Sequence, residues 1–262
     1  MPSKLLPPRI ALPMPHSGNC EYAERAIPQY ERAIKLAGGE PVRISLDRTP
    51  SEVMKIMERC DGVLLPGSNA DVDPAKFSAA RSPRTAAADL RRDAVDELLL
   101  KDAYNLRKPI LGICYGLQSL NVYRAGSLIQ HIPDFLPEEL RMRVNHAAGK
   151  SVAVAHAVAV APDSKLAGIL MPDAKELVLP VNSSHHQAAD SVGDGLRIVA
   201  RCLEDGIVEA LEGTAPDHFV LAVQWHPERS VDEDAPSRAI FHALVKAAEA
   251  RREQLAGEVD VK

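Results

Sequence analysis

The chain has 262 residues, of which 46% are hydrophobic and 26% charged, with a formal net charge of −5 at pH 7. That length and balance suit one globular domain over residues 1–262 and exclude both a disordered chain and a strongly positive surface for nucleic acid or anionic membranes. The cysteines at 20, 60, 114 and 202 show neither CxxC spacing nor the density of a secreted disulfide scaffold, so free thiols in a reducing compartment are expected.

The start, "MPSKLLPPRIALPMPHSG", is too proline-rich for the apolar segment of a signal peptide. No run of about 18 apolar residues follows anywhere, so the expectation is a soluble, cytoplasmic protein without a membrane partner. "RIALPM" (9–14) reads as a strand. "EYAERAIPQYERAIKLAGG" (21–39) reads as a helix stopped by Gly38 and Gly39, with Pro28 at its first turn or at a kink. "PVRIS" reads as a strand, "PSEVMKIMERC" as a helix and "DGVLLPG" as a strand. Over 89–106, Leu90, Ala94, Val95, Leu98, Leu99, Ala103 and Leu106 recur at three- and four-residue steps, which predicts a helix. Its charges, in "DLRRDAVDE", read as a solvated face. "PILGI" is a strand and "GLQSLNVYRAG" a helix ending near Gly126. Such alternation predicts a central, mostly parallel sheet with helices on both faces.

The second half has another texture. "SVAVAHAVAVA" (151–161) alternates strictly, with Val152, Val154, Val158 and Val160 on one face. "ELVLPV", "LRIVARCL", "GIVEALE" and "FVLAVQW" are further short runs, which predicts added antiparallel strands. A last helix is expected at about 235–254, and two loops, 66–88 and 131–149, have the length that in compact domains often belongs to functional lids or binding loops.

Cys114 ends the apolar run "PILGI", at the carboxyl end of a predicted parallel strand, where open α/β sheets place ligands. Gly112 and Gly116 flank it at i−2 and i+2, giving the thiol counterpart of the nucleophile elbow, Gly112-Ile-Cys114-Tyr-Gly116. Two consequences are expected. The helix N-terminus lowers the thiol pKa, and the Tyr115 N–H faces an oxyanion forming on an attacked carbonyl. A buried structural cysteine in a glycine-flanked turn is the competing reading. Cys20, Cys60 and Cys202 lack the setting and read as structural.

A thiol nucleophile needs a base, and the base needs an orienting group. In "LAVQWHPERS", His226 ends an apolar strand, and Glu228 stands two residues on, projecting to the same side of an extended chain. A histidine and glutamate capping a strand end is the plainer alternative. The adjacent His185 and His186 in "VNSSHHQ" invite a metal reading. Neighbouring side chains on a strand diverge, and no second Cys/His cluster is evident in the sequence, so no metal is expected.

Six ordered segments together resemble the class I glutamine amidotransferase-like hydrolases, most closely the gamma-glutamyl-gamma-aminobutyrate hydrolase group. They are "DGVLLPGSNADVDP", "RRDAVDELLL", "KPILGICYGLQSLNVYRAGSLIQHI", "VNSSHHQ", "DGIVEALE" and "AVQWHPE". The resemblance implies a flavodoxin-like three-layer α/β fold and a Cys114–His226–Glu228 triad. It also implies an oxyanion hole from the backbone N–H groups of Gly67 and Tyr115. Gln118 matches a glutamine that contacts the glutamyl group, and Ser184 and His185 match a segment lining the pocket. A surface amide for Gln118 and a hydrogen-bonded loop pair for His185 and His186 stay open beside those roles. Asp71 and Asp73 read as turn-stabilising groups. Three features depart from the family pattern: Ser68 and Ala125 stand where glycines are common, and 133–149 shows little likeness.

The implied chemistry is hydrolysis of a gamma-glutamyl amide through a thioester on Cys114, with no cofactor and a small-molecule substrate as partner. A glutaminase subunit feeding ammonia to a separate synthase uses the same triad. A non-catalytic binding protein on this fold is a third reading, against which the intact Cys114, His226 and Glu228 argue. The sequence leaves open whether a homodimer forms.

Overall fold

A computed structural model describes residues 6–170 and 177–259. The first residues of the proline-rich start, and Glu176 at the head of the expected strand "ELVLPV", lie outside the described residues. Strand β1 (Arg9–Pro13) leads through α1 (Cys20–Leu36) to β2 (Glu40–Ile44), then α2 (Pro50–Met57), β3 (Gly62–Leu65), α3 (Leu90–Leu106), β4 (Ile110–Ile113) and α4 (Tyr115–Tyr123). Then come β5 (Leu128–Ile129), the short helices α5 (Ile132–Phe135) and α6 (Glu138–Arg141), β6 (His156–Val160), α7 (Lys165–Leu170) and β7 (Leu177–Val181). β8 (Ala188–Ala189), β9 (Leu196–Cys202), β10 (Val208–Gly213), β11 (Val220–Val223) and α8 (Ala235–Val259) complete the order.

Nine strands form one sheet in the order β2-β1-β3-β4-β11-β10-β9-β6-β7. β2, β1, β3, β4 and β11 run parallel. The pairs from β11 outward to β7 are antiparallel. The expected α/β class, a mostly parallel sheet extended by antiparallel strands, is therefore the fold. Side-chain alternation builds its three layers. Ile10, Leu12, Leu64, Leu111 and Ile113 pack with Ile27, Ile34, Phe241 and Leu244 of α1 and α8. Ala11, Val63, Leu65 and Ile110 pack on the opposite face with Val53, Met57, Val95, Leu99 and Leu117 of α2, α3 and α4.

Several expectations change. The helix α1 begins at Cys20, capped by the Asn19 side chain, so Pro28 lies well past the first turn. Pro28 is on the exposed face, where water can take up the carbonyl that its missing N–H leaves free. The strand expected at 151–161 is reduced to His156–Val160. Gly149 adopts φ 91°, the chain turns there, and Val154 is exposed. α4 ends at Tyr123 rather than near Gly126, because Ala125 takes φ 68° and ends the helical run. The supposed solvated face of α3 is wrong at Asp89, Arg92, Asp93 and Asp96, all of them buried. Arg92 and Asp96 are fully buried, while Leu90 and Leu106 from the expected apolar stripe are exposed.

Candidate active site

β4 and β11 are adjacent parallel strands, with Ile113 opposite Val223. Their carboxyl ends deliver Cys114 and, after Gln224 and Trp225, His226. Cys114 has φ 53° and ψ −103°, an unfavourable backbone for a residue with a Cβ, and it leads directly into α4. Packing around the turn fixes that shape. A Cβ on Gly112 would lie 2.8 Å from the Gly116 carbonyl oxygen, and one on Gly116 would clash with the Leu65 carbonyl oxygen. The two glycines let β4, α4 and the end of β3 approach more closely than side chains would permit.

His226 Nδ1 lies 2.8 Å from Glu228 Oε1. Pro227 begins a 3-10 turn, Pro227–Arg229, which bends Glu228 back beneath the ring instead of continuing the extended chain that sequence spacing suggested. Asn182 fixes the backbone of His226 from the other side. Its amide donates to the His226 carbonyl at 2.9 Å and accepts from the His226 N–H at 3.0 Å. His226 Nε2 has no hydrogen-bond partner among the described residues. A Cβ on Gly67 would lie 3.0 Å from His226 Cε1 and 3.7 Å from Cys114 Cβ, so the glycine lies close to both residues. This is a compact, nearly closed site, with Cys114 5% and His226 4% exposed.

The electrostatics differ from the sequence expectation. Burial dominates the Cys114 thiol and pushes its pKa up to about 12, against the opposing pull of Arg229 and the Tyr115 N–H. Burial pushes the His226 imidazole down, with Glu228 opposing it. The resting pair is therefore a neutral thiol beside a neutral imidazole, and the helix N-terminus does not produce a standing thiolate. Glu228 is held below the usual carboxylate range: burial raises it, and His226 and Arg229 more than reverse that.

The expected oxyanion donors are in different states. The Tyr115 N–H interacts with the thiol. The Gly67 N–H donates to the Tyr30 hydroxyl at 3.0 Å, so this donor is engaged inside the protein. Beneath the loop, Arg92 donates to the Pro66 carbonyl at 2.8 Å and the Pro15 carbonyl at 3.2 Å, and pairs with Asp96 at 2.7 Å. Its guanidinium lies 4.9 Å from the centre of the Tyr115 ring.

The residues expected to bind substrate are dispersed among other contacts. Gln118 is buried rather than a surface amide, and donates to the Gln187 carbonyl at 3.2 Å. Ser184 accepts from Arg229 at 2.8 Å. His185 is buried, with Nδ1 2.9 Å from the Gln187 carbonyl and Nε2 3.5 Å from Glu209. His186 turns the other way, to Asp71 at 3.0 Å. Asp71 also accepts from Ala86 N–H, and Asp73 from Ala75 N–H, consistent with loop-stabilising roles. The sequence reading found no further histidines to join His185. The fold supplies two, His146 and His156, together with Glu209. Asn182, Arg229, Arg92 and Tyr30 were also missed as supports of the site. Asn182 stands in the quoted "VNSSHHQ" and Arg92 in "RRDAVDELLL", but the partners of both are remote in sequence.

At the rim, the Lys150 ammonium sits 5.4 Å from the centre of the Tyr22 ring. Its pKa is lowered by partial burial and then by the charges of Arg25 and Arg229, with the charge of Glu228 opposing them.

A family profile described as Peptidase C26 matches residues 13–228. A gamma-glutamyl-gamma-aminobutyrate hydrolase of Escherichia coli O157:H7 is 35% identical over 223 residues, covering 84% of this chain and 84% of that protein. A glutamine amidotransferase-like protein of Rickettsia prowazekii is 34% identical over 252 residues, covering 83% of this chain and 87% of its own. Among solved structures, a Thermoplasma acidophilum protein described as a GMP synthase component superposes with a TM-score of 0.64 at 18% identity. It covers 95% of this chain and 98% of its own, a likeness of fold alone.

Proposed function

The chain belongs to the peptidase C26 family and is a hydrolase, and from that premise we propose that it cleaves gamma-glutamyl amides through Cys114, His226 and Glu228. The observation that carries the reading is the 2.8 Å contact from His226 Nδ1 to Glu228, with Nε2 left unpartnered and with Gly67 close to both the imidazole Cε1 and the Cys114 Cβ. Glu228 holds the tautomer with its proton on Nδ1, so Nε2 is the basic atom. As the Cys114 sulfur attacks the amide carbonyl, Nε2 takes the thiol proton. The carbonyl oxygen becomes an oxyanion, for which Tyr115 and Gly67 supply N–H donors once the Tyr30 hydroxyl yields its place. His226 then protonates the leaving nitrogen, the C–N bond breaks and an acyl thioester remains. Water, deprotonated by His226, attacks the thioester, and sulfur leaves with the proton returned.

The cationic rim supports an acyl group bearing a free carboxylate, as a gamma-glutamyl group does, because Lys150 and Arg229 complement that charge. The E. coli relative's name supplies gamma-glutamyl-gamma-aminobutyrate as the first substrate to examine. Purified protein and its Cys114→Ala variant, assayed against that compound, other gamma-glutamyl amides and glutamine, test the proposal. Turnover in the parent and none in the variant is expected. Undiminished turnover in the folded variant would place the chemistry elsewhere. The Rickettsia relative's name favours a second reading, a glutaminase delivering ammonia to a separate synthase. Glutamine cleavage that rises only in a synthase's presence distinguishes it.

A further inference from the structure

Four buried side chains from four separate segments converge beside the site: His146 after α6, His156 at the start of β6, His185 between β7 and β8, and Glu209 on β10. Their ligand-capable atoms all lie within 4.8 Å of one another. Glu209 Oε1 is 3.3 Å from His146 Nδ1, 3.3 Å from His156 Nε2 and 3.5 Å from His185 Nε2. Yet none of these four atoms has a hydrogen-bond partner among the described residues. They crowd together without pointing at one another, as donors do when their lone pairs share a common target. Leaving a carboxylate and several ring nitrogens unsatisfied in the interior is costly, and such groups are normally paired or bound to a metal.

We propose that His146, His156, His185 and Glu209 form a binding site for one divalent transition-metal ion, Zn²⁺ by its donor set. Imidazole and carboxylate ligands at the usual Zn²⁺ bond lengths of about 2.0–2.2 Å lie about 3.3–3.5 Å apart at the corners of a tetrahedron, and the distances from Glu209 to the three histidines match that edge. Outer contacts orient two of the rings as they do in zinc sites. His146 Nε2 is 2.9 Å from Asp205 Oδ2, and His185 Nδ1 is 2.9 Å from the Gln187 carbonyl. Four protein ligands leave no open position, so the ion is structural. It joins the loop at 145–149 and the segment 182–187, which carries Asn182 and Ser184, to β6 and β10. It thereby fixes the wall of the active site without entering the reaction, and the inference stands whatever amide is cleaved.

The test uses tag-free full-length protein in a Cys114→Ala background, so that the thiol does not compete for metal. After stripping with a chelator, Zn²⁺ uptake is titrated against a chromogenic competitor, and Co²⁺ is added as a spectroscopic probe. One equivalent of Zn²⁺, a melting temperature raised by Zn²⁺, and the intense visible bands of tetrahedral Co²⁺ are expected. Glu209→Gln and His156→Asn should lose the uptake. Asp205→Asn should bind about 10–100-fold more weakly, the usual cost of losing an outer-shell partner. Circular dichroism establishes that each variant is folded, and if the ligand variants fail to fold, the parent's stoichiometry and Co²⁺ spectrum decide. Uptake far below one equivalent in the folded, stripped parent would overturn the site, leaving a network joined by shared protons. So would full uptake by both ligand variants.

Discussion

Arg92 on α3 donates to the carbonyl of Pro66 at 2.8 Å, one residue before the glycine that lies close to both Cys114 and His226. The same guanidinium pairs with Asp96 one helical turn on, and neither side chain has any solvent exposure. A buried charge pair contributes little net stability, but removing one partner strands the other. Arg92→Met is therefore expected to lower unfolding free energy by about 3–5 kcal/mol, measured by urea denaturation. The Arg92→Met, Asp96→Leu double variant should recover much of that loss while turnover stays low, because Pro66 is still unheld. A single variant as stable as the parent would mean that Asp96 finds other compensation.

Glu228→Gln keeps the size of the side chain but removes the carboxylate that fixes the imidazole tautomer. An amide can donate to Nδ1 and turn the N–H of the ring toward the thiol. We expect kcat to fall by about 10²–10⁴-fold, the range for losing acid–base catalysis, with the fold intact by circular dichroism. A change under tenfold in steady-state kcat would remove Glu228 from its orienting role.

The pH dependence follows from two opposed shifts. Burial lowers the His226 pKa from its ordinary 6.5, and His226 must be neutral to accept the thiol proton. The acid limb of kcat/KM should therefore have its midpoint below 6.5, with activity lost as pH falls through that point. Burial pushes the Cys114 thiol up to about 12. Alkylation by iodoacetamide should accordingly be slow at neutral pH and continue to accelerate through the alkaline range. An acid limb centred above pH 7, or rapid alkylation at pH 6, contradicts the neutral pair.

Tyr30→Phe examines the engaged oxyanion donor. The variant leaves the buried Gly67 N–H without its partner, which should cost about 1–3 kcal/mol of stability in a denaturation curve. In the proposed mechanism that N–H meets the oxyanion in the transition state instead, so kcat should be unchanged or raised. A fall in kcat beyond tenfold would mean that the hydroxyl itself stabilises the oxyanion.

Local sequence pattern was enough for the layered α/β class and for proposing where the chemistry sits. Apolar runs such as "PILGI" and helical stripes report burial through local periodicity. Gly112 and Gly116 report a tight turn, because no Cβ fits there. Cys114 and the neighbours His226 and Glu228 stood out for the same reason, since their meaning lies within a few residues of chain. Contacts across long separations came from the folded chain alone. It put Arg92 and Asp96 inside, where local charge pattern suggested water. It set Tyr30 on the Gly67 N–H and Asn182 on the His226 backbone, and it gathered His146, His156 and Glu209 around His185. It also reversed the thiol's expected acidity, because desolvation depends on everything packed around a group, whereas the helix end that favoured a thiolate is a local feature that sequence can show.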